Sequence, residues 1–209
     1  MITKEIQTTD HGKTGLFKAR IGHFTFGFRF NLYKHGIAFR FLYGHIADCI
    51  GVLNKFENTK QQALFIDFDK CGISEIMEYI SHLDYDYNIG ESYIFESSTN
   101  HYFMICPSLF DIHEIRNILI NCDIADSKFT TIYLLNGDNT IRITPKFNEK
   151  KNREIKLFAT FQPEFSKRVR HMGLSLLLNR HFNIVVPAGL YDGSTENDLI
   201  TKEYETLQW

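Results

Sequence analysis

Long apolar runs are missing from this 209-residue chain. None approaches the ~18–20 consecutive apolar residues that a membrane-spanning helix needs. The first ten residues are polar, which reads as no secretory leader, so a soluble, cytoplasmic protein with no membrane partner is expected. Cysteine is scarce and scattered: Cys49, Cys71, Cys106 and Cys122 form no CxxC pair. That spacing argues against a disulfide framework and against zinc, and the thiols read as free in a reducing compartment. Only four prolines stand against 19 phenylalanines, a balance that excludes a disordered chain. An excess of one charge is lacking too. At a net −2 the chain has no global commitment to nucleic acid, although a local basic patch remains open to it.

What is present is a hydrophobic content of 44%, enough for one large domain or two small ones. The reading adopted is a single domain over 1–209, with a motif-bearing core over 38–146, a C-terminal strand and basic helix over 154–182, and a polar tail over 193–209. Dense aromatics and glycines from 16 to 43 suggest short strands. Residues 44–58 read as a helix and 63–69 as a strand. A helix capped by Ser74 is expected over 73–83, where Ile76, Ile80 and Leu83 recur at helical spacing. The runs 92–96 and 101–106 read as a hairpin. Asp111 and Glu114 form a capping-box pattern ahead of Ile115, Ile118 and Leu119. Phe129 to Leu135 and Thr140 to Thr144 read as strands around an Asn136-Gly137-Asp138-Asn139 turn. A further strand is expected over 154–161. After it Pro163 opens a helix to about His181, whose Lys167, Arg168 and Arg170 would contact nucleic-acid backbone.

The most telling segment is Ala63-Leu64-Phe65-Ile66-Asp67-Phe68-Asp69. In a strand, side chains alternate between faces. Leu64, Ile66 and Phe68 therefore share one face, and Phe65, Asp67 and Asp69 the other. Two carboxylates roughly 6–7 Å apart along a hydrophobic strand call for a positive partner. Hard divalent cations such as Mg²⁺ take carboxylate oxygens. An acidic, solvated strand face is the plain alternative.

Three motifs in order extend the pattern. Leu64 to Asp69 is an apolar run ending in Asp-x-Asp. The stretch Ser97-Ser98-Thr99-Asn100-His101-Tyr102-Phe103 places a histidine at the start of a strand after a Ser-rich turn. Ala125-Asp126, with Asp123 and Asp138 as rivals, precedes Ile141-Arg142-Ile143-Thr144-Pro145-Lys146. His101 follows Asp69 by 32 residues, and Asp126 follows His101 by 25. This set resembles the catalytic core of the archaeo-eukaryotic primase superfamily, the primase-polymerases of plasmids and viruses. The resemblance implies an α+β fold with an RNA-recognition-like palm, an antiparallel or mixed sheet flanked by helices. It implies a template-directed nucleotidyltransferase that makes primers with two Mg²⁺ or Mn²⁺ ions held by Asp67, Asp69 and Asp126. His101, Arg142 and Lys146 would bind the nucleotide. The implied partners are single-stranded DNA template, nucleoside triphosphates and a helicase or accessory subunit. A non-catalytic nucleic-acid-binding replication protein of the same fold is the alternative.

Overall fold

The structure, a computed structural model, describes residues 2–9, 12–21, 24–33, 36–45, 49–56, 59–144, 155–163 and 166–204. The chain divides into two compact units. One comprises residues 1–49, 146–152 and 203–209, and the other residues 50–145 and 153–202. Pro145 and Lys146 lie outside the described residues. Among the described residues no helix is long and apolar enough to cross a membrane.

The first unit holds a four-stranded antiparallel meander: β1 (Ile2–Thr9), β2 (Gly12–Ile21), β3 (Phe24–Tyr33) and β4 (Gly36–His45), in that spatial order. Alternation of phenylalanine with polar or small residues through β3 is the period-two signal that predicts it.

Among its described residues the second unit is α+β, with an open seven-stranded antiparallel sheet and four helices. Its strands are β5 (Cys49–Phe56), β6 (Gln62–Asp69), β7 (Ser92–Ser98), β8 (His101–Phe110), β9 (Thr140–Arg142), β10 (Lys156–Phe161) and β11 (Leu199–Tyr204). The spatial order is β10-β7-β8-β6-β5-β11, with β9 paired to β5. Helix α1 (Ile73–Tyr87) links β6 to β7, and α2 (Ile112–Ile120) follows β8. Helices α3 (Ser127–Asn136) and α4 (Met172–Phe182) complete the set.

Alternation along β6 splits the core in two. Leu64, Ile66 and Phe68 pack with Ile76 and Ile80 of α1 and Ile115 and Ile118 of α2. Phe65 packs on the opposite face with Phe103 and Ile105 of β8 and Leu174, Leu177 and Leu178 of α4. Each such buried aliphatic or aromatic side chain contributes about 1.5–3 kcal/mol relative to exposure.

Four expectations are corrected. The described part of the run 44–58 is strand rather than helix, the end of β4 and all of β5. Three consecutive buried residues, Val52, Leu53 and Asn54, fit a strand covered on both faces, with β6 and β9 as partners. The run 129–135 is helix α3, capped by Asp126 and ended by Gly137 at φ 75. Its β-branched and aromatic residues suggest a strand, but the cap and the left-handed glycine win. Helix α1 begins at Ile73 as expected, but Gly72 rather than Ser74 is its N-cap, and it runs on to Tyr87. The helix after Pro163 begins only at Met172, behind His171. Residues 166–170 are not helical, and Arg170 bridges Ser108 on one side and Tyr191 on the other.

Candidate functional site

The site is built at the end of β6. Register sets Asp67 opposite Phe103 and Asp69 opposite His101, the first residue of β8. Paired residues of neighbouring strands share a face, so Asp67, Asp69 and His101 stand together on the Phe65 side of the sheet. The turn before His101 is closed by Asn100 at φ 61, a conformation that asparagine tolerates. Asp69 Oδ1 lies 2.8 Å from His101 Nδ1, with the carboxylate 34% and the imidazole 51% exposed. That much water makes the contact a weak one.

Asp126 arrives from 59 residues away in sequence. Strand β5 meets β6 at Lys55 and Gln62, then takes β9 as a partner through Gly51–Arg142, Val52–Ile141 and Leu53–Thr140. Ala125 bridges Phe68, and the Asp126 N–H donates to the Asp67 carbonyl at 2.8 Å. The Asp126 carboxylate accepts the Phe129 N–H at 2.6 Å and so caps α3. Asp126 therefore precedes a helix, not the strand expected there, yet the site gains it.

Electrostatics tie the group together. Burial, then the charges of Asp126 and Asp69, push the Asp67 carboxyl up from 3.8 to about 6, partly offset by His101 and Arg142. The rival aspartates stand elsewhere. Asp123 is exposed in the turn after α2, and Asp138 lies beyond the end of α3. Arg142 comes from β9, opposite Gly51, and its buried Nε has no hydrogen-bond partner.

A cavity of about 490 Å³ adjoins the Asp69–His101 pair, lined by Lys70, Cys71, Gly72, Thr99, Asn100 and His101. Lys70 sits at φ 62, uncommon outside glycine and asparagine. Gly72 begins α1 without a side-chain cap. This turn is missed by sequence reasoning, although Lys-Cys-Gly directly after Asp-x-Asp marks it.

A second omission is the support beneath the site. Gln62 Oε1 accepts from Tyr133 Oη at 2.7 Å and from Asn54 Nδ2 at 3.3 Å, while Gln62 Nε2 donates to the Gly137 carbonyl at 2.9 Å. Asn54 Oδ1 accepts the Asn139 N–H at 2.9 Å, and Asn139 Nδ2 donates to the Phe129 carbonyl at 3.1 Å. These amides bind α3 and β9, which carry Asp126 and Arg142, to β5 and β6. Two amide residues within apolar strands were the available signal.

The basic trio lies apart from this site. Arg168 donates to Glu114 at 2.7 Å and to the Tyr87 and Leu109 carbonyls, and its guanidinium covers the Phe110 ring at 4.1 Å. Arg170 is buried, 3.8 Å from Glu91. Lys167 is exposed. Two of the three are thus engaged within the fold, on a segment that is not helical.

The three carboxylates are hard oxygen donors of the kind that suits Mg²⁺ or Mn²⁺. Burial first, and then the neighbouring Asp126 and Asp69, hold the Asp67 carboxyl up, and a cation among the three would favour their charged forms. Among the described residues, no three His, Cys, Asp or Glu side chains already stand as a metal-holding group. Comparison of the chain with protein-family models, with curated proteins and with solved structures finds no match.

Proposed function

We propose that the second unit is the palm of a primase-type nucleotidyltransferase, extending primers on a single-stranded DNA template from nucleoside triphosphates. The observation that carries this reading is the convergence of Asp67, Asp69 and Asp126 with His101 and Arg142, read in the charge felt by Asp67. Asp67, Asp69 and Asp126 would hold two divalent ions, which supply Lewis-acid stabilisation of the attacking and leaving oxygens when bound. Arg142 contributes a guanidinium suited to phosphate oxygens. His101, oriented by Asp69, offers its other ring nitrogen to a polyphosphate beside the cavity. The β6-α1-β7-β8-α2 order, with β8 between β6 and β7, supports a palm of the RNA-recognition type.

The test is incorporation of labelled nucleotides on a primed single-stranded template with Mg²⁺ or Mn²⁺. Wild type is expected to extend the primer, and Asp67→Asn to lose about 10³-fold or more, the several kcal/mol that metal stabilisation supplies. Equal extension by both proteins overturns the reading. A non-catalytic nucleic-acid-binding protein of the same fold is the second reading. It is favoured by the prior engagement of Asp126 in capping and of Asp69 with His101. An inactive wild type that still binds template would select it.

A further inference from the structure

Helix α4 is started by a histidine. His171 is 1% exposed, and its ring stacks on Phe56 of β5 with centroids 3.6 Å apart and planes at 20°. Its Nδ1 accepts the Leu174 N–H at 3.0 Å and so caps the helix. A nitrogen that accepts carries no hydrogen, so the single proton of the neutral ring is on Nε2. The backbone holds the ring in place, since the His171 N–H donates to the Pro107 carbonyl of β8 at 2.9 Å. A cavity of about 390 Å³, lined by Phe56, His171, Asp192, Ser194 and Asp198, brings solvent to this point.

The other N–H groups of the first turn are taken by the segment after Tyr191. Met172 donates to Asp192 Oδ1 and Gly173 to Ser194 Oγ, each at 3.1 Å. Gly173 lies so close to the Thr195 carbonyl that a Cβ has no room there. Beyond this turn Leu174, Leu177 and Leu178 cover Phe65, Phe103 and Ile105. That is the face of the sheet from which Asp67 and Asp69 project.

We propose that His171 is an acid-released latch, holding the start of α4 on the sheet while its ring is neutral and loosening it when the ring is protonated. A second proton must go to Nδ1, which sets one donor against another 3.0 Å away at the positive end of the helix. The charges that face the ring are Asp192 and Asp198. From β5 and β8 it meets only Phe56, Leu109 and the Pro107 carbonyl, and Arg170 beside it in the chain lies against Glu91. Arg180 and His181 stand at the other end of α4, where Arg180 pairs with Glu196 at 2.7 Å. Burial holds the His171 imidazole below its ordinary 6.5, and the two aspartates offset only part of this. As pH falls through 6.5 the unfolded chain takes the proton before the folded one, so this contribution to stability is lost toward acid. Asp67, pushed up to about 6, acts in the opposite sense in this range, and a global melt would mix the two. The latch does not depend on nucleotidyl transfer.

The experiment is hydrogen–deuterium exchange of the full chain at pH 7.5 and 5.5, corrected for the intrinsic pH dependence of exchange. Peptides within 172–182 are read against peptides within 92–106. Relative protection of 172–182 is expected to fall roughly fivefold at pH 5.5, the worth of one N-cap. His171→Asn keeps an acceptor at the cap and does not titrate, so it should erase the fall. His181→Gln, at the other histidine of α4, should leave it in place. Equal relative protection at the two pH values in wild type overturns the proposal. So does a fall that persists in His171→Asn or vanishes in His181→Gln. Should His171→Asn not fold by circular dichroism, long-range proton–nitrogen NMR of wild type decides. A proton on Nε2 at pH 7.5 and a titration below 6.5 are expected, and a proton on Nδ1 or a titration at or above 6.5 overturns the latch.

Discussion

Asp67 shows how the site is loaded at the level of one residue. Its carboxyl is pushed up from 3.8 to about 6 by burial and by Asp126 and Asp69. Below pH 4 folded and unfolded chains both keep this proton. Between about pH 4 and 6 the unfolded chain releases it and the folded one retains it, so stability falls as pH rises through that window. A shift of this size is worth up to about 3 kcal/mol. Asp67→Asn is therefore expected to raise the urea midpoint at pH 7.5 in chelator and to flatten the decline between pH 4 and 6. A midpoint at or below that of wild type would mean that no charge is crowded there. Mn²⁺ supplies the complementary measurement. Added at pH 7.5, it should raise the melting temperature of wild type and leave Asp67→Asn nearly unmoved, because binding only to the folded state stabilises it.

Among the elements, strands β5 and β6 and helix α3 are joined by amides rather than by apolar packing alone. Gln62 is 4% exposed and serves Tyr133, Asn54 and the Gly137 carbonyl. Gln62→Ala strands those partners in the interior, at about 1–3 kcal/mol for each unsatisfied group. Chemical denaturation should show a loss of about 3 kcal/mol or more, against under about 1 kcal/mol for His101→Ala at its exposed pair. The contrast also explains what the sequence makes legible. Asp67, Asp69 and His101 are readable because strand alternation and a short hairpin are local properties. The Asp111–Glu114 box likewise announces α2, and both of its reciprocal bonds form. Helix α3 escapes because apolar residues surround it, with Tyr133 buried and Leu135 79% exposed, so no period emerges. Residues 44–58 mislead because their pairing with β6 and β9 is decided by distant partners. Asp126 is found for its position and misread in its element, since capping a helix and preceding a strand look alike in one residue.

At the scale of the whole molecule, charge and chemistry are divided between two units, a basic all-β sheet and an acidic α+β unit that holds the carboxylates. The parting of β5 from β6 has a consequence beyond admitting Asp126. A strand that loses its neighbour presents bare N–H and C=O groups, a template on which another chain can add. Ala125 and Asp126 stopper that opening with one bridge and one hydrogen bond. Asp126 has φ −58, which proline adopts without strain. Asp126→Pro therefore removes the donated N–H and the cap, whereas Asp126→Ala removes the cap alone. Light scattering on warming should find Asp126→Pro self-associating at a lower temperature than Asp126→Ala, and coincident curves would show that the N–H guards nothing. The aspartate that completes the charge cluster would then also be the seal that keeps the sheet from growing into a neighbouring molecule.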